Sequence, residues 1–281
     1  MLFRSRLGGA GNVALNIKAM GATPILCSVI GQDKEGKDLR DIMMKSGLTC
    51  NGLIHSDKRK TTNKTRVLGN NHQLLRIDHE ITHDLDVVDS FLLEQRFSEE
   101  LENCDVVIFE DYNKGVLHGK NIELLIQKCV TKGIPTIVDP KKANFLAYKN
   151  VTLFKPNLKE IKEGLKIETD LSDVAQVNDA IAQLMLSLNN EYTLVTLSER
   201  GVVITGKNET HHIPAHIRTI ADVSGAGDTV VSVAALCLSA KTDAKTLAEL
   251  SNLAGGLVCE ITGVVPINKE QLLAEIGRAH V

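Results

Sequence analysis

The 281-residue chain has a net charge of −3, with 43% hydrophobic and 24% charged residues. That is the make-up of an ordinary soluble globular protein, one large α/β domain or two small ones. With no Trp, 3% aromatics and no basic tract, nucleic acid is excluded as an expected partner. No apolar run reaches membrane-spanning length, no signal-peptide core opens the sequence, and no membrane role is expected. The six cysteines (Cys27, Cys50, Cys104, Cys129, Cys237, Cys259) are scattered without a C-x-x-C pair. Several lie in apolar runs, as small buried hydrophobes of a cytoplasmic protein do.

In chain order, Leu7–Gly21 runs from a glycine cluster into a predicted helix with Val13, Ile17 and Met20 on one face, closed by Gly21. Asn12 at its start is either an N-cap or a side chain facing a ligand over the Gly8-Gly9 turn. The G-x-G-x-x-G pattern is absent, so this is not a dinucleotide fingerprint. Pro24–Gly31 predicts a strand and Glu35–Ser46 a helix, the start of an α/β alternation. The basic run Lys58–Arg66 reads as a solvated loop, and Val67–Asp78, with Asn70-Asn71 at its turn, as a hairpin.

Phe91–Asn103 predicts an amphipathic helix and Asp105–Glu110 a buried strand. The polar residues after that strand, Asp111 and Lys114 among them, stand where open α/β sheets put ligands, although a turn explains them equally. Asn121–Gly133 is a crossover helix, Ile134–Val138 a strand ending in Asp139-Pro140-Lys141, and Val151–Phe154 another strand. Asn157 and Glu160, three apart, share a helix face and fit a capping box. Val174–Leu188 predicts a helix. Tyr192–Leu197 predicts a strand that turns through Ser198 and Gly201 into Val202–Thr205. His211 and His212 lack metal-like spacing. Leu247–Thr262, carrying Asn252, is a helix of small residues.

Ala221–Val233 is the centre of the chain. Gly225 and Gly227 lead straight into the predicted helix Thr229–Ala240, and glycines at a helix N-terminus turn N–H groups toward one point to make an anion hole. Asp228 at its mouth is either a helix cap or the base that deprotonates a hydroxyl attacking a phosphoryl group.

The stretch D-V-S-G-A-G-D resembles the D-T-x-G-A-G-D signature of the ribokinase-like (PfkB) sugar kinases, with Val223 in place of Thr. The resemblance implies Asp228 as catalytic base and the Gly225, Ala226 and Gly227 amides as the anion hole. G-G-A-G-N-V-A resembles the family's other signature, in which Gly8, Gly9 and Asn12 would line the sugar site. The N-x-x-E of Asn157 and Glu160 would organise Mg²⁺, directly or through water, beside ATP. Thr196, Ser198 and Gly201 resemble T-x-G-x-x-G, a nucleotide-phosphate loop, and Asn252 would border adenine; a turn and tight packing explain these four as well. The pattern Thr62, Lys64, Arg66, Asn71, Gln73, Arg76, Asp78, with D-Y-x-K-G and V-D-P-K, is similar to the heptose-7-phosphate kinases of lipopolysaccharide biosynthesis. That subgroup implies Lys64 and Arg66 on a substrate phosphate, with Arg76 paired to Asp78 as an alternative for that residue.

The resemblance implies a three-layer α/β/α sandwich over residues 7–273, a mainly parallel sheet, and a small β lid within about 51–78. It also implies ATP-dependent phosphorylation of the anomeric hydroxyl of D-glycero-β-D-manno-heptose 7-phosphate in the cytoplasm, a homodimer through the lid, and a fused adenylyltransferase domain. The rival readings are another PfkB sugar or nucleoside kinase, of ribokinase or fructokinase type, and a non-catalytic sugar- or nucleotide-binding protein. Met1–Ser5 and Ile276–Val281 read as translated sequencing-adapter DNA, so residues 1–6 and 276–281 are expected outside the fold. The family's strand before the Gly-Gly turn, ending in a sugar-binding Asp, has no counterpart in 1–7. Impaired activity and aggregation are therefore expected of residues 1–281.

Overall fold

The computed structural model describes residues 5–69, 72–168, 171, 173–216 and 218–279. Helix α1 (Ala10–Ala19) leaves the glycine cluster, and β1 (Ser28–Gly31), α2 (Lys34–Lys45) and β2 (Leu53–Ser56) follow. β1 and β2 pair in parallel. Asp33 caps α2 by accepting the Gly36 N–H at 2.7 Å, satisfying a donor that has no partner inside the helix. β3 (Asn63–Gly69) and β4 (His72–His79) form an antiparallel ribbon of their own. Next come α3 (Val87–Glu100), β5 (Val107–Glu110), α4 (Gly119–Lys132), β6 (Thr136–Asp139), β7 (Leu153–Phe154), α5 (Leu158–Leu165), α6 (Val174–Leu188) and β8 (Tyr192–Thr196). The chain ends with β9 (Val202–Thr205), β10 (Thr210–Ile213), α7 (Ala226–Ser239), α8 (Ala244–Val258) and α9 (Lys269–Ala279).

Among the described residues the main sheet has six strands in the order β10-β9-β8-β7-β6-β5. β5 to β8 run parallel, and β9 and β10 are antiparallel additions. Side chains alternate across a strand, and here each alternation separates two cores. Ile137, Leu153, Leu194 and Ile204 face α1, α7 and α8, packing with Val13, Ile17, Val231, Ala234 and Leu257. Their neighbours Val138, Phe154, Val195 and Val203 face α3 to α6, packing with Phe97, Ile122, Leu125, Ile161 and Leu184. A parallel sheet buried on both faces reads as the continuous apolar runs seen in the sequence. Its strand ends β5, β6 and β7 therefore open onto one rim.

Two expectations need correcting. The run Lys58–Arg66 is not a solvated loop throughout: Asn63–Arg66 form the first half of β3. Polar residues on both faces suit a two-stranded ribbon that is wet on both sides. Arg59 and Thr61, in the same run, are buried. The Arg59 guanidinium donates to the carbonyls of His83 at 2.8 Å and Lys114 at 2.5 Å, which is how an arginine fork can be buried without a carboxylate. The Asn70-Asn71 turn lies outside the described residues. So do residues 1–4 of the expected leader and 280–281 of the expected tail, while α9 takes in Ile276–Ala279 and Ile276 packs on the core. No helix among the described residues is long and apolar enough to cross a membrane.

Candidate active site

α7 begins at Ala226, and Gly225 before it holds φ +87°, a left-handed backbone that glycine adopts without strain. A Cβ on Gly225 would come within 3.2 Å of Asn12 Nδ2. The first-turn N–H groups of Gly227 and Asp228 have no intrahelical acceptor, so the helix presents an anion hole. Asp222 shapes the loop ahead of it, accepting the Ser224 N–H and the Gly263 N–H, each at 2.9 Å. Arg218, largely buried, ties that loop to the end of α8 and to α9 through Glu260 (3.1 Å) and Glu275 (2.9 Å).

Asp228 Oδ2 accepts the side chain of buried Asn12 at 2.8 Å. Its Oδ1 meets only a longer bond, 3.3 Å, from the Tyr112 hydroxyl. Burial raises the Asp228 pKa; the Asn12 bond opposes the rise and the Asp139 charge adds to it. Burial also keeps the Tyr112 phenol protonated and hence a donor. Glu110, at the end of β5, and Asp139, at the end of β6, bring carboxylate oxygens within 4.8 Å of that of Asp228 and of one another. Burial, with the charges of Asp139 and Asp228, pushes the Glu110 carboxyl well above the ordinary range. The counter-charge is Lys155, next after β7: its Nζ is buried 3.3 Å from Asp139 Oδ2 and would stand 4.0 Å from a Cβ on Gly227.

The other expected residues fall into three groups. Gly8 and Gly9 lie before α1; Gly9 holds φ +52°, and a Cβ there would touch the Tyr112 ring at 3.1 Å. Asn157 and Glu160 form a reciprocal capping box at α5, each accepting the other's backbone N–H at 2.9 Å. Glu160 also binds Lys141, which reaches Asp139 at 3.8 Å. Thr196 pairs with Asn157 across a β-bridge. Ser198, where the family motif has Gly, takes the left-handed φ +57°, and Gly201 takes +88°. Asn252 donates to the Pro214 carbonyl at 2.8 Å.

The structure directs the remaining expected residues elsewhere. Asp111, buried, accepts the Asn113 N–H at Oδ1 and the side chains of Asn144 and Tyr148 at Oδ2. It faces away from Asp228 because it follows Glu110 by one residue. Lys64 meets Asp78 at 3.1 Å and Glu80 at 2.7 Å, and Lys114 meets Glu80 at 2.5 Å. Arg66 is exposed opposite Arg76 in the ribbon, and Arg76 forms a two-point pair with Asp78. Sequence reasoning missed Glu110, Tyr112, Asp139, Lys141 and Lys155 as site residues. The rule that drew attention to Asp111, polar groups at carboxyl ends of parallel strands, would have found them.

A model of the pfkB family carbohydrate kinases matches residues 2–271. The chain belongs to this family. The pfkB chain is 37% identical over 273 residues to the bifunctional protein HldE of Desulfatibacillum aliphaticivorans, covering 97% of this chain and 55% of that protein. It is 38% identical over 264 residues to the bifunctional protein HldE of Campylobacter curvus (strain 525.92), covering 94% and 55%. The chain thus spans about half the length of the curated relatives it matches. Its fold is similar to phosphofructokinase-2 from Escherichia coli in complex with fructose-6-phosphate, with a TM-score of 0.78, 18% identity and coverage of 96% and 88%. Arabidopsis thaliana ribokinase complexed with ribose and ATP gives 0.76, 16% identity and coverage of 95% and 87%. The three-layer α/β/α arrangement is therefore ribokinase-like, as expected.

The family implies ATP. The residues present also fit a divalent cation, since the strand ends supply hard oxygen donors and Glu110 Oε1 is buried without a hydrogen-bond partner.

Proposed function

We propose that this chain transfers the γ-phosphoryl group of ATP to the anomeric hydroxyl of D-glycero-β-D-manno-heptose 7-phosphate, giving the 1,7-bisphosphate. The observation that carries the chemistry is Asp228 at the N-terminus of α7, with Oδ2 fixed by Asn12 and Oδ1 lightly held. The acceptor hydroxyl takes the place of the Tyr112 bond and donates to Oδ1. As its oxygen attacks the γ-phosphorus, its proton passes to Asp228, the new O–P bond forms, and the bond to the bridging oxygen of ADP breaks. A carboxylate made more basic by burial is suited to this step. Past the Gly225–Ala226 turn, the N–H groups of Gly227 and Asp228 stabilise charge on the transferring group; the expected Ala226 N–H is instead taken by the Val223 carbonyl at 3.3 Å.

Gly8, Gly9 and Asn12 would hold the sugar, and Thr196, Ser198, Gly201 and Asn252 the nucleotide. Mg²⁺, held through Asn157 and Glu160 directly or by water, with the strand-end carboxylates Glu110 and Asp139 as further oxygen donors, would neutralise phosphate charge. The heptose reading is supported by the HldE relatives and by the two lysines, Lys64 and Lys114, that converge on Glu80 at the edge of the ribbon. Exposed Leu68, Leu74, Leu75 and Ile77 on the ribbon support a homodimer through the lid, and the family supports a cytoplasmic enzyme.

One observation favours a second reading: Lys64 and Lys114 already have carboxylate partners, which would suit a neutral acceptor as in ribokinase or fructokinase. An ATP-dependent phosphorylation screen decides. Heptose 7-phosphate should exceed neutral hexoses and pentoses in kcat/KM. A neutral sugar turning over better would select the second reading, and no transfer to any sugar would leave a binding protein.

A further inference from the structure

Glu80, just beyond β4, is the meeting point of two lysine ammonium groups. Its Oε2 accepts Lys64 Nζ at 2.7 Å and its Oε1 accepts Lys114 Nζ at 2.5 Å. Lys64 belongs to lid strand β3; Lys114 follows β5, two residues beyond Tyr112, whose hydroxyl reaches Asp228. Asp78, the other acid on Lys64, is already gripped by Arg76 at 2.8 and 2.9 Å. Glu80 therefore spends both oxygens on two ammonium groups from different elements.

The side chains of Lys64, Lys114 and Glu80 are 32%, 24% and 18% exposed. Both pairs keep contact with solvent, so an incoming anion can reach the ammonium groups and compete for them. Two ammonium groups converging on one point are also what a phosphate monoester recognises, with more charge and more acceptor oxygens than a carboxylate. The junction does not depend on Glu80 to stay assembled. Arg59 fastens the lid base to the carbonyls of Lys114 and His83, and Leu85 N–H bonds the Gly115 carbonyl at 3.0 Å.

We propose that Glu80 is a specificity-determining residue: it holds Lys64 and Lys114 as an internal counter-anion and yields them to the phosphate of the acceptor. A phosphorylated sugar opens the bridge, and a neutral sugar leaves it closed. This rests on the phosphorylated-sugar reading above and explains why cations meant for substrate have protein partners without it.

The test uses inorganic phosphate as probe, titrated calorimetrically with chloride at matched ionic strength as control. Glu80→Gln should bind phosphate about threefold to tenfold more tightly than the parent chain. The gain should vanish when Lys114→Met is added, which separates this site from the anion hole of α7. KM for the phosphorylated sugar should fall by the same factor while KM for ATP holds. Phosphate binding that is unchanged or weaker in Glu80→Gln, or a gain that survives Lys114→Met, overturns the proposal. If Glu80→Gln does not fold, Glu80→Asp, too short to reach both lysines, should show a smaller gain, and no gain overturns it. Because the titration needs no turnover, a chain that passes it yet leaves heptose 7-phosphate untouched would sink the choice of sugar and not the role of Glu80.

Discussion

Around Asp228, polar groups are buried and each is held from a different element: Asn12 from α1, Glu110 from β5, Asp139 from β6, Lys155 after β7. In the β3–β4 ribbon the polar groups are exposed or half-buried and paired within the ribbon or to Glu80, and Leu68, Leu74 and Leu75 face solvent. The buried end cannot lose a member without leaving a charge or donor unpaired in low dielectric. The ribbon can exchange partners at little cost. On the proposed function, chemistry and substrate choice would thus be separated by how strongly each is fixed.

Substitutions should break this contrast in a definite order. Lys155→Met removes the buried counter-charge of Asp139 and its neighbours. Breaking a buried pair from one side typically costs about 3–5 kcal/mol, so urea unfolding should show a loss of that order. A midpoint near that of the parent would mean the acids are already neutral or hydrated.

Asn12→Leu should act next, through pH. Asn12 donates to the ionised form of Asp228 and opposes the rise that burial causes. Without it the pKa climbs further, and the base, active only when ionised, is lost at higher pH. The acidic limb of the kcat/KM profile should move to higher pH, as expected when a hydrogen bond to the charged form is lost. A downward shift, or none, would remove Asn12 from the control of the base.

Glu160→Gln should raise the Mg²⁺ concentration needed for half-maximal rate without unfolding the chain. An unchanged titration would reduce Glu160 to the capping role its bonds to Asn157 already show. Arg76→Ala, in the exposed ribbon, should leave the urea midpoint unchanged. A clear loss would mean that the Arg76–Asp78 pair itself, and not only the leucines of the ribbon, is buried in the proposed dimer.

The same contrast governs what was legible in the sequence. Short-range signals carried through: the glycines before α7, the Asn157–Glu160 box and the apolar runs of β5 to β8 depend on neighbours a few residues away. The pairing of Asn12 with Asp228, across 216 positions, was not legible, because each residue alone also fits a cap. Glu110 and Asp111 were indistinguishable until the pleat of β5 sent one to Asp228 and the other to Tyr148. Arg59 looked solvated because its partners are backbone carbonyls from distant loops, which leave no trace in side-chain spacing.

In the proposed reaction Asp228 takes the acceptor's proton. Asp228→Asn keeps size and polarity and removes the acceptor, so it isolates that step. Measured beside a parent that transfers phosphate, the variant should bind ATP with unchanged affinity while turnover falls by ~10²–10⁴, the usual worth of a general base. Turnover within a few-fold of the parent would contradict the account.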